Sequence, residues 1–234
     1  MSMFLRDPKC IKQREFVGIP AYHEAGFLGE GITIFHDDIS KNHSECCVDI
    51  MEVILPKAKV MQGRIAYTSN YYEVNAFVFH EGKQYEMDDF IESFEISQFN
   101  NSTVGIENLD MRFTHYWNER INKYNLFCTC AAGNKDNQIN KYSDSFIPVG
   151  GVFFKGETEQ IWPAYDDGTF VMFMGFQSGT SFAAPFLNGM GGLMRQKYGP
   201  LTQNQIESKM KEWALDLSGI GFNRQYGFGL PILR

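Results

Sequence analysis

Short apolar runs alternate with amphipathic segments along the chain. Residues 32–35 (ITIF) form an apolar run between GEG and HDD, as in a strand buried on both faces of a parallel sheet. Residues 44–55 (SECCVDIMEVIL) follow with a helical pattern that stops before Pro56. Its apolar face comprises Cys47, Ile50, Met51 and Ile54. Residues 58–67 (AKVMQGRIAY) return to strand character, so the region predicts a strand–helix–strand unit.

The rest of the chain continues this alternation. Strands are predicted within residues 90–99, 124–137 and 146–154, a loop-rich segment over 156–170, and helices from the GTSFAAP segment to Tyr198 and over 201–217. This order predicts an α/β fold of three layers, with a mostly parallel, doubly wound sheet and helices on both of its faces. In such sheets, ligands bind at the carboxyl ends of the strands.

Length and charge narrow the function classes. With 234 residues and 44% hydrophobic residues, the chain is long enough for one well-packed domain and short for two. We expect a single catalytic domain over 17–234, preceded by an N-terminal extension over 1–16. The net charge is −7, from 21 basic and 28 acidic residues, and no basic block occurs. Because phosphate binding needs clustered cations, nucleic acid is not expected as a partner.

The N-terminal segment and the cysteines indicate the cellular compartment. Charges interrupt the N-terminal segment where a secretory signal needs an apolar core, and no run of about 18 apolar residues occurs anywhere. The sequence therefore predicts no membrane association and a cytoplasmic location. The five cysteines match neither a zinc-binding pattern nor a disulfide framework, so reduced thiols are expected. A cysteine nucleophile paired with histidine stays open, but no motif supports it.

The segment GTSFAAP, residues 179–185, raises the question of chemistry. Ser181 precedes a helix rich in small residues, where a serine commonly caps the first turn. However, Gly179 permits close approach of backbone or substrate, and the small side chains suit a helix that passes through a domain. A hydroxyl at the start of such a helix lies beside the positive end of its dipole, where developing negative charge is stabilised.

A nucleophilic serine needs a base and an oxyanion donor. His43 opens the predicted helix after the first strand, although a histidine there is ordinarily a surface residue. Asn134 follows Gly133 where a later strand ends, a position typical of a turn residue. If both side chains face Ser181, the imidazole can serve as the base and the amide as the donor.

These three segments occur in the order found in one protease family. GTSFAAPFLNGMGGLM resembles the nucleophile segment of the subtilisin-like serine proteases, CAAGNKD resembles their oxyanion segment, and HSECCVDIMEVIL is similar to a diverged form of their histidine helix. Weaker similarity extends over residues 17–232. The resemblance implies a subtilisin-like fold, with Ser181 as nucleophile, His43 as general base and then acid, and Asn134 as oxyanion donor.

The family also implies an aspartate that orients the histidine, and its position here is ambiguous. The segment HDDIS stands where the family has Asp-(Ser/Thr)-Gly after the first strand. An ungapped match from ITIF puts His36 at the aspartate position, whereas a count from Gly31 puts Asp38 there. We predict Asp37, which keeps Phe35 within the strand, and hold Asp38 in reserve.

The implied function is an intracellular endopeptidase that hydrolyses peptide bonds through a Ser/His/Asp triad and an acyl-enzyme, with no cofactor. Its expected partner is a peptide or protein substrate, while any calcium site and the oligomeric state stay open. FEISQFNN resembles the family's substrate-binding strand, where Phe99 is expected to narrow or fill the pocket. The alternative is a pseudoprotease that binds peptides, suggested by the atypical aspartate motif. An unrelated α/β binding protein would require the GTSFAAP match to be coincidence.

Overall fold

The structure is a computed structural model, and it describes most of the chain. The described ranges are 3–38, 40–70, 73–102, 111–134, 145–156, 160–165, 168–175, 177–219 and 221–234.

Eight helices and eleven strands lie within these ranges. The helices are α1 (Met3–Arg6), α2 (Pro8–Phe16), α3 (Ile19–Glu24), α4 (Lys41–Ile54), α5 (Met87–Phe94), α6 (Met111–Tyr124), α7 (Thr180–Tyr198) and α8 (Gln203–Trp213). The strands are β1 (Thr33–Asp37), β2 (Lys59–Ser69), β3 (Val74–His80), β4 (Lys83–Glu86), β5 (Gln98–Asn101), β6 (Phe127–Ala131), β7 (Ile147–Phe154), β8 (Ile161–Tyr165), β9 (Phe170–Phe173), β10 (Ala214–Leu215) and β11 (Leu230–Pro231).

The central sheet is mostly parallel and doubly wound. Its order is β4-β3-β2-β1-β5-β6-β7-β8, and β9 also pairs with β7. The pairs β2–β1, β1–β5, β5–β6, β6–β7 and β7–β9 are parallel, whereas β3, β4 and β8 pair antiparallel. The chain winds from β1 to β2 on one side and later to β5 on the other. A crevice is expected outside the carboxyl ends of β1 and β5, because the strand order reverses there.

Hydrophobic cores cover the two faces of the sheet. The first core contains the buried faces of α4, α7 and α8, and the second contains those of α5 and α6. Strand β1 contributes to both, since Ile34 lies in the first core and Phe35 in the second. Successive side chains of a strand point to opposite faces, so a polar residue in β1 must also face one core or the other. The helices that pack on both faces of the mostly parallel sheet confirm the predicted three-layer α/β fold.

Helix α7 passes closely over the sheet and over α4. A Cβ added to Gly191 would lie 2.2 Å from the Phe127 ring of β6, and one added to Gly189 would lie 2.9 Å from Ile54 of α4. Contacts this short leave no room for a side chain. The small residues of the predicted helix therefore allow its backbone to approach its neighbours, which sets the position of its first turn.

Two predicted elements are wrong, and both can be explained. Residues 90–94 belong to helix α5 and not to a strand, because Met87, Phe90 and Ile91 form a buried helical face. The segment predicted as a loop over 156–170 contains strand β8, which pairs with β7 as an antiparallel neighbour. Within the described residues, the remaining predicted strands and helices occur where expected, although α8 ends at Trp213, before Leu217. Residues 135–137 of the segment predicted over 124–137 lie outside the described residues.

The N-terminal helices pack into the first core. Phe4 and Cys10 are fully buried there, and the Phe4 ring lies 5.7 Å from that of Phe186 in α7. The domain boundary between residues 16 and 17 stays a prediction. Within the described ranges, no helix combines the length and the apolar character that crossing a membrane requires.

Candidate active site

The first turn of α7 holds Ser181, which is 7% exposed, at the start of a buried helix. Gly179 is the N-cap residue, with φ of 143°, a conformation that favours glycine. A Cβ there would lie 3.2 Å from the Ser181 hydroxyl and 3.4 Å from Asn134 Nδ2. Ser181 is therefore not the cap of this helix. Its hydroxyl is available for another partner, in the space that the glycine leaves open.

The imidazole of His43 is that partner. Helix α4 starts after β1 and carries His43 in its first turn, which brings Nε2 to 2.8 Å from Ser181 Oγ. The Phe182 ring lies 5.0 Å from the imidazole and packs against it at a tilt of 52°. About 30% of the His43 side chain stays exposed, so a substrate can reach this hydrogen bond.

Asp38 completes the chain of hydrogen bonds. Its Oδ2 is in short contact with His43 Nδ1, and its Oδ1 accepts the backbone N–H of Ser40 at 2.9 Å. Only about 2% of the Asp38 side chain is exposed. The three groups can together pass a proton from the serine hydroxyl to an imidazole whose tautomer the carboxylate sets.

Asp37, the residue predicted to orient the histidine, lies on the opposite side of β1. Its Oδ1 accepts the N–H of Ile65 at 2.9 Å, and its Oδ2 accepts from Asn101 Nδ2 at 2.7 Å. The reserve residue Asp38 takes the place beside His43. The reason is the period of two in a strand, which puts Asp38 on the α4 and α7 side and Asp37 on the other.

The pKa of Asp38 lies well below its usual range. Burial alone would raise it, but the nearby His36 imidazole and the hydrogen bonds from His43 and from the Ser40 N–H outweigh that effect. The first turn of α4 adds the positive end of a helix dipole nearby. Asp38 is consequently ionised at neutral pH, as a carboxylate that stabilises an imidazolium must be.

Asn134 lies beside the serine, as predicted, and Thr180 sets its orientation. Its Oδ1 accepts the Thr180 N–H at 2.8 Å and the Thr180 hydroxyl at 3.0 Å. The amide nitrogen is therefore the end that can donate towards Ser181. The Ser181 N–H also lies in the first turn of α7, where backbone N–H groups lack the acceptor four residues before them, and it can donate to the same place.

Pro185 gives the backbone carbonyl of Ser181 an unusual set of donors. A proline has no N–H for the carbonyl four residues before it, so the usual helical hydrogen bond is absent there. Instead, the Ser102 hydroxyl donates to this carbonyl at 2.8 Å and the Cys47 thiol at 3.3 Å. Side chains from the end of β5 and from α4 thus hold the first turn of α7 in place.

The structure argues against a cysteine nucleophile in this cleft. Cys47 is buried, and its Sγ lies 4.0 Å from His43 Nδ1. Burial raises the pKa of the Cys47 thiol, so it stays protonated and acts as a hydrogen-bond donor. Among the described residues, one group has the composition of a metal site, namely His36, Asp38 and Cys47, whose ligand atoms lie within 4.8 Å of one another.

Phe99 does not narrow a pocket, and this corrects the sequence-based expectation. It is 1% exposed in the second core, with its ring 5.6 Å from that of Phe35 and 5.3 Å from that of Trp117. Strand β5 pairs with β1 on one side and β6 on the other, so residues 98–101 offer no free edge to a peptide.

Several polar residues around the site were not predicted as site residues from the sequence, where His36 entered only as the ungapped match to the aspartate position. Those on buried strands are His36, Asn100 and Thr129, and those after β5 or on α7 are Ser102, Thr180 and Asn188. A signal for some of them existed, since three adjacent polar residues (NNS) follow an apolar one where β5 ends. Buried polar groups need partners, so such a run in a central strand indicates a hydrogen-bonded site.

Comparison with known proteins gives a family match in the same part of the chain. Residues 167–229, which include Ser181, match the model of the Subtilase family. No curated protein matches the chain by sequence.

Solved structures match over nearly the whole chain. One is fervidolysin from Fervidobacterium pennivorans, a keratinolytic enzyme related to subtilisin, with 15% identity, a TM-score of 0.65, 94% of this chain covered and 44% of that chain. Another is a lanthipeptide protease, with 14% identity, a TM-score of 0.68, 99% of this chain covered and 97% of that chain. A third is the serine protease MycP1, with 12% identity, a TM-score of 0.57, and 94% and 86% covered. The fold is therefore that of the subtilisin-like proteases, and this chain spans less than half the length of fervidolysin.

Proposed function

The chain has the subtilisin-like fold and matches the Subtilase family over residues 167–229, and from this premise we propose that it is a serine endopeptidase. The observation that carries the proposal is the continuous chain from Ser181 Oγ through His43 to Asp38. A hydroxyl, an imidazole and an ionised carboxylate in this order are the groups that acyl transfer needs.

The proposed reaction begins with attack of Ser181 Oγ on a peptide carbonyl carbon. His43 Nε2 takes the hydroxyl proton, and Asp38 stabilises the resulting imidazolium. The Asn134 amide and the Ser181 N–H donate to the oxyanion. When the C–N bond breaks, His43 returns the proton to the leaving amine and an acyl-enzyme remains. Water then attacks the ester in the same manner, which releases the acid and restores Ser181.

The pseudoprotease alternative loses its main motivation. It depended on an atypical aspartate motif and on Phe99 in the substrate strand. Asp38 supports a working triad, and Phe99 packs into the second core, away from α7. A binding module also has no need for a serine held 2.8 Å from an imidazole. The endopeptidase is therefore the better-supported function.

Fluorophosphonate labelling tests the proposal without knowledge of the substrate. We expect the parent to be labelled at Ser181, as mapped by peptide mass, and to cleave a mixed peptide library. Ser181→Ala should abolish labelling and lower kcat/KM by about 10⁴-fold or more, because the nucleophile is gone. Asn134→Ala should keep the labelling site but lower the rate by about 10²–10³-fold. A folded parent that neither labels nor cleaves would contradict the endopeptidase.

The cytoplasmic location inferred from the sequence is part of the same proposal. All five cysteines have free thiols, and a reducing compartment keeps thiols in this state. Fractionation of the source cells would test it, since recovery of the protein outside the cytoplasm would contradict this location.

A further inference from the structure

We propose that His36 is a positioning residue for Asp38, an inference that rests on the proposed endopeptidase function. His36 is fully buried in β1, two residues before Asp38. Because side chains of a strand alternate, both point to the side of the sheet that carries α4 and α7. Its Nε2 lies 3.7 Å from Asp38 Oδ2, the same oxygen that contacts His43.

The surrounding hydrogen bonds determine which nitrogen of His36 carries the proton. Ser102 has one hydroxyl proton and donates it to the Ser181 carbonyl, so its oxygen accepts from Asn100 Nδ2 at 2.9 Å. Asn100 Oδ1 accepts from the Thr129 hydroxyl at 2.9 Å. The amide of Asn100 is thereby oriented, and its second N–H donates to His36 Nδ1 at 3.0 Å. His36 is therefore a neutral imidazole with its proton on Nε2.

The Nε2–H group of His36 has Asp38 as its nearby acceptor. Within the described residues, this nitrogen makes no hydrogen bond, and the buried environment gives it no access to water. A distance of 3.7 Å is too long for an ordinary hydrogen bond, but the N–H dipole still favours the ionised carboxylate. Catalytic hydrogen bonds are often long without substrate and shorten in the reacting complex.

These contacts close a ring around the serine. From the Ser181 carbonyl, hydrogen bonds run through Ser102 and Asn100 to His36. From Asp38 they continue through His43 to the Ser181 hydroxyl. The approach of His36 to Asp38 joins the two halves, so the backbone and the hydroxyl of one residue are held by one network. His36 acts through Asp38 and need not touch a substrate.

The spectrum of the parent protein gives the first test. Nitrogen-15 chemical shifts of the imidazoles report the protonated nitrogen, and we expect His36 as the Nε2–H tautomer between pH 6 and 8. A proton on Nδ1, or on both nitrogens, would overturn the proposal. The low-field proton resonance of His43 Nδ1–H reports its contact with Asp38 and needs no substrate.

Two variants then test the effect on catalysis. His36→Leu removes the donor, and we expect a roughly tenfold loss in kcat with KM unchanged, since the interaction is made with a charged group. His36→Gln can return an N–H near the position of Nε2 and should recover most of kcat and the His43 resonance. His115→Gln is the matched control, because His115 is 76% exposed on α6 and should leave both readouts at the parent values.

The outcomes separate this inference from the proposed function. A parent that cleaves peptide while a folded His36→Leu keeps its kcat and His43 resonance would overturn the positioning role alone. A parent without activity would rule out the endopeptidase function. The His43 resonance of His36→Leu would still show whether the contact between Asp38 and His43 depends on His36. If His36→Leu does not fold, the positioning role is tested by the His36 tautomer in the parent and by the kcat of His36→Gln. A tenfold loss of kcat in His36→Gln would show that a restored N–H donor does not rescue catalysis, and would overturn the proposal.

Discussion

At the residue scale, the two adjacent aspartates differ in their hydrogen bonds. Asp38 bonds to a histidine that has 30% of its surface exposed, whereas Asp37 bonds to a backbone N–H and an amide within the sheet. Both are buried carboxylates, and neighbouring positions of a strand send them to opposite faces. Asp38 therefore belongs to the candidate active site, whereas Asp37 connects β1 to β2 and β5.

Matched amide variants separate these roles. Asp38→Asn should lower kcat by about 10⁴-fold, because an amide cannot stabilise an imidazolium and favours the wrong tautomer of His43. Asp37→Asn should keep kcat within about threefold and lower the free energy of unfolding by about 1–2 kcal/mol, since one hydrogen bond to a charged acceptor is weakened. Peptide cleavage and urea unfolding of both variants measure these effects. If Asp37 were the residue that orients His43, Asp37→Asn would instead lose kcat and Asp38→Asn would keep it.

The pH dependence of stability follows from the same residue. Asp38 has a folded-state pKa well below its usual value, so its contribution to stability is complete above the unfolded-state pKa of about 3.9. This contribution is lost as pH falls from there through the folded pKa. The unfolding free energies of parent and Asp38→Asn should therefore start to converge as pH falls below about 4. Unfolding curves in urea at several pH values measure the convergence, and a gap that widens towards acid would contradict it.

At the element scale, helix α7 depends on glycines at its contacts. Glycines stand where it contacts Phe127 of β6 and Ile54 of α4, so the backbone approaches both elements. The same proximity holds the first turn, and with it Ser181, at the carboxyl ends of the strands. Pro185 within the helix is compatible with this arrangement because Ser102 and Cys47 donate to the carbonyl that it leaves without a helical partner.

A single added methyl group should disturb this packing. Gly191→Ala would place its Cβ 2.2 Å from the Phe127 ring, so α7 or β6 must shift. We expect a loss of about 1–3 kcal/mol in the free energy of unfolding, as for other overpacked cores. Ser208→Ala, on the exposed side of α8, is the control and should change stability by less than about 0.5 kcal/mol. Equal stabilities of the two variants in urea would argue against the close contact.

At the scale of the whole molecule, α7 joins opposite ends of the sheet. Its start lies at the carboxyl ends of β1, β5 and β6, and its last turns lie at their amino ends. There the buried Arg195 donates to the carbonyls of Ser97 at 2.7 Å, Asn125 at 2.7 Å and Leu201 at 3.1 Å. One guanidinium thus connects the segments before β5 and β6 to the loop after α7, about 21 Å along the helix from Ser181.

Replacing this residue should affect stability and not catalysis. Arg195→Lys cannot reproduce three donors in a fixed planar arrangement, so at least one buried carbonyl loses its partner. We expect the free energy of unfolding to fall by about 2 kcal/mol. The kcat of the folded fraction should stay at the parent value, because the site lies at the other end of the strands. A large loss of kcat with unchanged stability would contradict this separation.

The sequence alone determined the class of the fold and predicted three of the groups at the candidate site. Apolar runs and helical periodicity predicted β1, α4, β6, β7 and α7 because each of these patterns depends on local burial. The order of His43, Asn134 and Ser181 indicated a nucleophile with its base and donor, and the structure brings these residues together. Residues 90–94 were assigned to the wrong element, since a short apolar pattern with Phe90, Ile91 and Phe94 fits a strand as well as a helix.

Only the tertiary structure decided which side of the sheet each polar residue faces. Strand β1 is buried on both faces, so its sequence carries no alternation of polar and apolar residues to distinguish Asp37 from Asp38. The sequence likewise does not distinguish Phe99 from Asn100 in β5, whose side chains lie on opposite faces of the sheet. The candidate site lies on the face of the sheet that packs against α4 and α7. This packing forms between residues that are far apart in the chain. A local pattern records the burial of a residue but not the partner that buries it.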